Sequence, residues 1–356
     1  MIRPSVRRRR GARLVRRIAA AMISIVAVVG GPLRATACDL CAIYTATEQR
    51  VTRVGPWLGV AQQFTSYDTL QENGHEVPNP DGQYLNSSIT QFLAGYTVLP
   101  KLGFQLNLPV IFRNFRRPEN GVVVDGSVSG IGDMVLLGNL ELFSTVTENS
   151  VVRLTGLAGI KLPTGSPSRL KEELTEDDSQ SEGTSAVNPQ LHHGGEHDPS
   201  MVASGIHGHD LALGSGSTDA VLGAQLFGSW QRLFVTAAVQ YLARTTGSFN
   251  YTYANALFWS GGPGAFVWVD HAYTVSLQAN LSGESKGNDS LAGVPATDTA
   301  ITTLFVGPNL GLTWGSSLGL EVGGDLPVIE NNSSFQIVPT TAFEQAARGG
   351  FETRKS

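Results

Sequence analysis

Between Gly130 and Gly165 apolar and polar residues alternate with a period of two. Met134, Leu136, Leu140 and Leu142 share one face with Gly138, while Asp133, Asn139 and Glu141 share the other. After the polar turn STVTENS the alternation resumes, with Val152, Leu154, Ala158, Ile160 and Leu162 opposite Arg153, Thr155 and Lys161. A period of two predicts extended strands with one apolar and one polar face. Each run has the ~9–11 residues that a tilted strand needs to cross a bilayer. A soluble sheet would bury the apolar face in a core, whereas a membrane barrel turns it toward lipid and keeps charge inside.

The same pattern recurs along the chain. It predicts strands at 57–67, 86–99, 102–115, 130–143, 151–165, 217–230, 232–244, 250–259, 265–282, 300–314 and 318–329, and a twelfth in the tail. The turn between the eighth and ninth falls at Gly261-Gly262-Pro263-Gly264. Twelve is even, as single-chain outer-membrane barrels require. Connections after strands two, four, six, eight and ten are short, and those after one, three, five and nine are long. Short turns on alternate connections are the mark of such a barrel, with periplasmic turns and extracellular loops; a sandwich has no reason for them. The expected fold is therefore all-β, a closed antiparallel transmembrane barrel of about twelve strands over 57–356. It requires Leu106, Leu136 and Leu277 to face lipid, with Arg153 and Gln278 inside. Trp57, Phe112, Phe143, Trp230, Tyr241, Trp259, Trp268 and Trp314, near predicted strand ends, are candidates for aromatic girdles. Pro109, Pro308 and Pro327 lie within strands and call for bulges.

The first 37 residues read as a secretory signal: a basic region, a short apolar run and Ala35-Thr36-Ala37. They hold nine of the 25 basic residues and none of the 30 acidic ones, so the remainder carries 16 basic residues against 30, a net charge of −14. An acidic exported chain is a poor nucleic-acid binder. The expected location is the bacterial outer membrane, with membrane lipid, the barrel-assembly machinery and a small solute as partners. Gly, at 41 of 356 residues, exceeds the usual ~7% and suits tight turns and close-packed walls.

Candidate chemistry sits in three places. Cys38 and Cys41 open the exported chain at a Cys-x-x-Cys spacing, which leaves open a small disulfide, a lipidated Cys38, or a redox or metal role. The long stretch at about 166–216, predicted to be a disordered extracellular loop, holds His192, His193, His197, His207 and His209 among many carboxylates. Imidazole and carboxylate at these spacings suit Zn²⁺, Cu²⁺ or Ni²⁺, and incidental histidines on a solvated loop are the alternative. The polar faces of the strands supply the lumen-lining candidates: Gln105, Asn107, Arg113, Asp133, Asn139, Glu141, Arg153, Lys161, Asp219, Gln225, Arg232, Gln240, Arg244, Asn280, Glu321 and Asp325. These groups either line a narrow polar passage or pair with one another and close it. No nucleophile elbow, phosphate-binding or dinucleotide motif occurs, and Asp270-His271 has no paired nucleophile, so no enzyme is expected.

At GIGDMVLLGNLELF, KLPTGS, GSGSTDAVLGAQ and LEVGGDLPVIENNSSFQIVP, between Gly130 and Pro339, the sequence resembles the outer-membrane barrel family named for the meta-cleavage pathway of phenol degradation. That family is loosely related to hydrocarbon- and fatty-acid-uptake barrels. The resemblance implies a transporter of small, hydrophobic or aromatic solutes, with residues 38–56 as an N-terminal plug. The chain departs from the pattern in its His-rich central stretch and in ending FETRKS, where a final strand would end on an aromatic such as Phe351. Two other readings stand beside the transporter: a barrel displaying a metal-capturing loop without general solute flux, and a soluble exported β-protein.

Overall fold

The structure is a computed structural model that describes residues 54–119, 121–174, 204–270, 272–314 and 318–350. Twelve long strands follow one another in chain order: β1 (Gly55–Glu72), β2 (Tyr84–Leu99), β3 (Leu102–Glu119), β4 (Met134–Val146), β5 (Ser150–Leu162), β6 (Asp219–Trp230), β7 (Leu233–Ala243), β8 (Ala256–Val269), β9 (Tyr273–Lys286), β10 (Ile301–Trp314), β11 (Leu318–Asn332) and β12 (Phe335–Gly350). Each pairs antiparallel with the next, and β12 pairs with β1 from Trp57↔Gly350 to Glu72↔Phe335, closing the barrel. Closure satisfies the backbone groups of every spanning strand inside the wall, which a bilayer demands.

Solvation is inverted. Leu106, Leu136 and Leu277 are 36%, 41% and 47% exposed, whereas their neighbours Asn107 and Leu137 are 0% and 1%. Arg153 reaches inward to Glu141 (Nε–Oε2 3.0 Å), and Gln278 Nε2 donates to Thr236 Oγ1 at 2.7 Å. Tyr96, Phe143, Trp230, Trp268 and Trp314 stay exposed beside the short turns, where a girdle belongs. Trp57 departs from the expected girdle: it is buried, with the Arg348 guanidinium 3.4 Å from its ring centroid. Leu136 pairs with Leu106 and Ile160 inside this outer apolar band. Leu136→Arg is expected to cost about 2–4 kcal/mol of folding stability, as for a cation near a bilayer midplane. The urea midpoint of the liposome-inserted protein measures it; an unchanged midpoint would refute a lipid-facing Leu136.

Two expected strand boundaries need correction. GGPG is no turn: β8 runs through it to Val269, and β9 begins only at Tyr273. Gly261 and Gly262 have φ of +137° and +154°, and a Cβ at either would run into the backbone of β7 or β9. These glycines serve close strand approach, so the turn signal misled. The third loop also holds a strand, Val122–Ile131, which pairs with β3 over Val110–Glu119 while β4 takes only Leu102–Asn107. Pro327 does sit beside a bulge, with Leu304↔Ile329 followed by Phe305↔Pro327.

The interior is not uniformly polar. Val135, Leu137, Val221, Ala238, Leu242, Ala256 and Phe258, from β4, β6, β7 and β8, form one buried apolar cluster on the inner wall. Part of the bore is therefore filled with side chains, as a barrel this narrow allows.

Candidate functional site

The segment between β5 and β6 decides what the bore can do. Of its described parts, 163–174 and 204–218, the second packs against inward residues of the barrel wall, and the first packs on the second through Leu170 and Ala212. A 3₁₀ turn at Ser168–Leu170 and a four-residue helix α1 (Gly208–Leu211) bring Leu170, Ile206 and Leu211 to 0% exposure. Ile206 and Leu211 pack on Leu70, Leu85, Phe115 and Ile337, which are inward residues of β1, β2, β3 and β12. Disorder was expected because the stretch has almost no apolar anchors, yet Ile206 and Leu211 suffice to anchor its C-terminal end on the wall. His192, His193 and His197 lie outside the described residues, as do Cys38, Cys41, His271 and Phe351.

Polar anchors from β3 hold the inserted backbone. Arg113 Nη1 donates to the carbonyls of Asp210 and Ala212, both at 2.8 Å. Arg117 Nη1 donates to Ile206 O at 3.3 Å, and its Nη2 to Glu172 Oε2 at 2.7 Å. Ile337 N donates to Gly205 O at 2.9 Å, and Gly205 N to Gln83 Oε1 at 2.9 Å. Arg117 was missed because RRPEN reads as a loop. Its signal was the unbroken alternation Ile111, Arg113, Phe115, Arg117, all buried.

A second anchor surrounds Lys161. Its Nζ lies 2.5 Å from Asp133 Oδ2 and 2.9 Å from Asp219 Oδ2, and donates to Ser215 Oγ. Asp133 also accepts from the backbone of Gly165 and Ser215, each at 3.0 Å. Arg244 Nη1 stands 3.7 Å from Asp219. Three expected lumen residues (Asp133, Lys161 and Asp219) thus join β5, β6 and the inserted segment in one buried ionic group.

The other lumen candidates are placed as follows. Gln105, Asn107, Gln225 and Gln240 are buried on the inner face; Asn107 donates to Gln91 Oε1. Asp325 accepts from Asn280 Nδ2 (3.3 Å) and Ser282 Oγ (3.0 Å). Asn139 lies against Gly103 on β3, Glu141 pairs with Arg153, and Glu321 lines a small crevice with Asn309 and Glu344. Arg232 is a correction: it sits exposed in the two-residue turn between β6 and β7, because the tight hairpin ends one residue either side of it and Gln231.

Beside the inserted segment the lumen keeps a cavity of about 250 Å³. Its wall is apolar at Leu85, Ile89, Pro109, Ile111, Leu213 and Ile337, with Arg113, Lys161, His209, Arg244, Tyr253 and Lys286 converging on it. A mostly apolar hollow with a few directed polar groups is the usual form of a small-molecule site.

At its edge stands α1. His209 Nδ1 is 3.0 Å from Glu173 Oε1, which also accepts from His209 N at 2.7 Å. His209 Nε2 is 3.5 Å from Asp210 Oδ1, and Asp210 Oδ2 accepts from His207 N at 2.9 Å. Burial disfavours charge on His209, but Asp210 and Glu173 outweigh it and hold the imidazole up at about 10. Burial likewise opposes ionisation of Glu173, and His209 outweighs it, bringing the carboxyl down to about 2. Tyr251 and Tyr253 complete the wall: Tyr251 OH donates to Asp289 Oδ2 at 2.8 Å, and Tyr253 OH to His209 O at 3.0 Å. Burial, reinforced by Asp289, raises both phenols and keeps them neutral donors.

No known protein family and no curated protein matches the chain. Among solved structures, an outer membrane channel from Pseudomonas putida F1 aligns over 84% of this chain and 96% of its own, with a TM-score of 0.53 and 15% identity. The translocator domain of the autotransporter NalP from Neisseria meningitidis aligns over 88% and 93%, with a TM-score of 0.41 and 11% identity. The beta domain of the Bordetella autotransporter BrkA aligns over 84% and 99%, with a TM-score of 0.40 and 11% identity. The first likeness extends to the fold. Closed pairing, an apolar outer skin and that shared fold make this chain a twelve-stranded transmembrane β-barrel of the bacterial outer-membrane type.

Proposed function

We propose that the protein is an outer-membrane channel for small, weakly polar solutes, single-ring aromatic compounds foremost, and that the inserted segment sets its aperture. The observation that carries this reading is the lumenal cavity: apolar walls with a few charged and hydroxyl groups suit a ring bearing one polar substituent. The resemblance of the turn motifs to barrels named for phenol degradation points the same way. In this reading the barrel-assembly machinery inserts the chain.

The test is swelling of proteoliposomes in isosmotic solutes that cross bare lipid slowly. Swelling in an aromatic carboxylate is expected to outpace that in a sugar of similar size. If a folded, heat-modifiable barrel swells no faster than empty liposomes in either solute, the channel reading fails. The sugar outpacing the aromatic would remove the aromatic preference alone.

A further inference from the structure

The group around α1 carries an inference independent of which solute crosses. One ligand atom each from His207, His209 and Asp210 lies within 4.8 Å of the other two. His209 Nε2 and Asp210 Oδ1 are 3.5 Å apart. Two ligands of one tetrahedral Zn²⁺, at bonds of 2.0–2.2 Å, stand roughly 3.3–3.6 Å apart, so this edge already has ligand spacing. The His207 ligand atom lies within 4.8 Å of the other two, so a movement of at most about 1.5 Å brings it to the same spacing.

The surroundings fit. Glu173 engages His209 Nδ1, which fixes the ring and turns Nε2 toward Asp210, where an ion would displace the Nε2 proton; this is the carboxylate–histidine arrangement found behind metal ligands. Asp210 has Oδ2 tied to His207 N, so Oδ1 is the atom presented. The His207 side chain is half-buried, and Asp298 Oδ2 lies 3.8 Å from its Nε2. Two imidazoles thus face three carboxylates, a mixed nitrogen–oxygen donor set. His209 and Asp210 also line the cavity, which gives an ion its way in. Imidazole with carboxylate selects borderline ions over Ca²⁺ or Mg²⁺.

We propose that His207, His209 and Asp210, with Glu173 behind His209, form a lumenal site for a borderline divalent ion of the Zn²⁺ class, which ties the inserted segment together at the edge of the cavity.

The experiment uses the full chain, folded in detergent and stripped by chelator, titrated with Zn²⁺ by calorimetry and with Co²⁺ by visible absorption. One ion per chain is expected to bind through this group, with Co²⁺ bands of a mixed nitrogen–oxygen site. H207A and H209A are each expected to lose at least tenfold in affinity, and E173Q about tenfold, as for removal of an outer-shell partner. A His192→Ala/His193→Ala/His197→Ala triple variant is expected to keep the site. Retained binding in H207A and H209A, loss of binding in the triple variant, or no binding at all would each overturn the proposal. Heat-modifiable mobility verifies each fold, and D210N, the mildest change, replaces any histidine variant that does not fold.

Discussion

Arg113→Ala is expected to raise single-channel conductance in planar bilayers several-fold or more. The guanidinium spans from β3 to two carbonyls of the inserted segment, Asp210 O and Ala212 O. An unpaired buried carbonyl costs about 1–3 kcal/mol, so the variant loses roughly 2–6 kcal/mol of docking free energy. At 1.4 kcal/mol per factor of ten, the docked-to-undocked ratio shifts by at least about 25-fold. Ile206 and Leu211 still resist release, so the effect should grow when Arg117, which holds Ile206 O, is replaced as well. Arg113→Lys keeps the charge but replaces the planar guanidinium by a differently placed ammonium, and should lie between alanine and the parent. Conductance unchanged in the double variant would mean that the inserted segment does not limit the passage.

Lys161→Met is expected to be the most destabilising single change in the wall. It removes the cation between Asp133 and Asp219, whose side chains are 9% and 0% exposed. Breaking a buried ion group by deleting one partner costs about 3–5 kcal/mol, because the charge left behind has no compensation. Asp219 keeps Arg244, at 3.7 Å, and the Thr245 N–H, at 2.9 Å. Unfolding in urea, followed by loss of the fast-migrating folded form in gels, reads the change. Lys161→Met combined with Asp219→Asn should recover part of the loss, since neighbours in one network are not additive. An additive double variant, or a single variant as stable as the parent, would show that water already screens this group.

The outer surface was legible because the bilayer imposes one rule on it. Every second residue of a spanning strand must be apolar, so Leu106, Leu136 and Leu277 reveal their direction by parity alone. The short turns were legible for a similar reason, since a hairpin of one to six residues leaves the chain no choice of neighbour. Parity also named the lumen groups but not their partners. Lys161 meets Asp219 on β6 and Asp133 just before β4, both through adjacent strands, yet also Ser215, which reaches it only through the path of the inserted segment. Arg232 failed on a boundary of one residue, and GGPG failed because glycine serves close backbone approach as readily as a turn.

The amino-acid order by itself thus determined the strand count, the closure of the sheet and the lipid-facing surface, since these follow from local periodicity under a membrane constraint. Tertiary structure alone decided that residues 204–215 lie inside the barrel, that a few apolar side chains outweigh the charge around them there, and that His207, His209 and Asp210 meet beside a cavity. Such meetings depend on strand stagger and on the course of a loop across the bore, and neither leaves a period in the sequence.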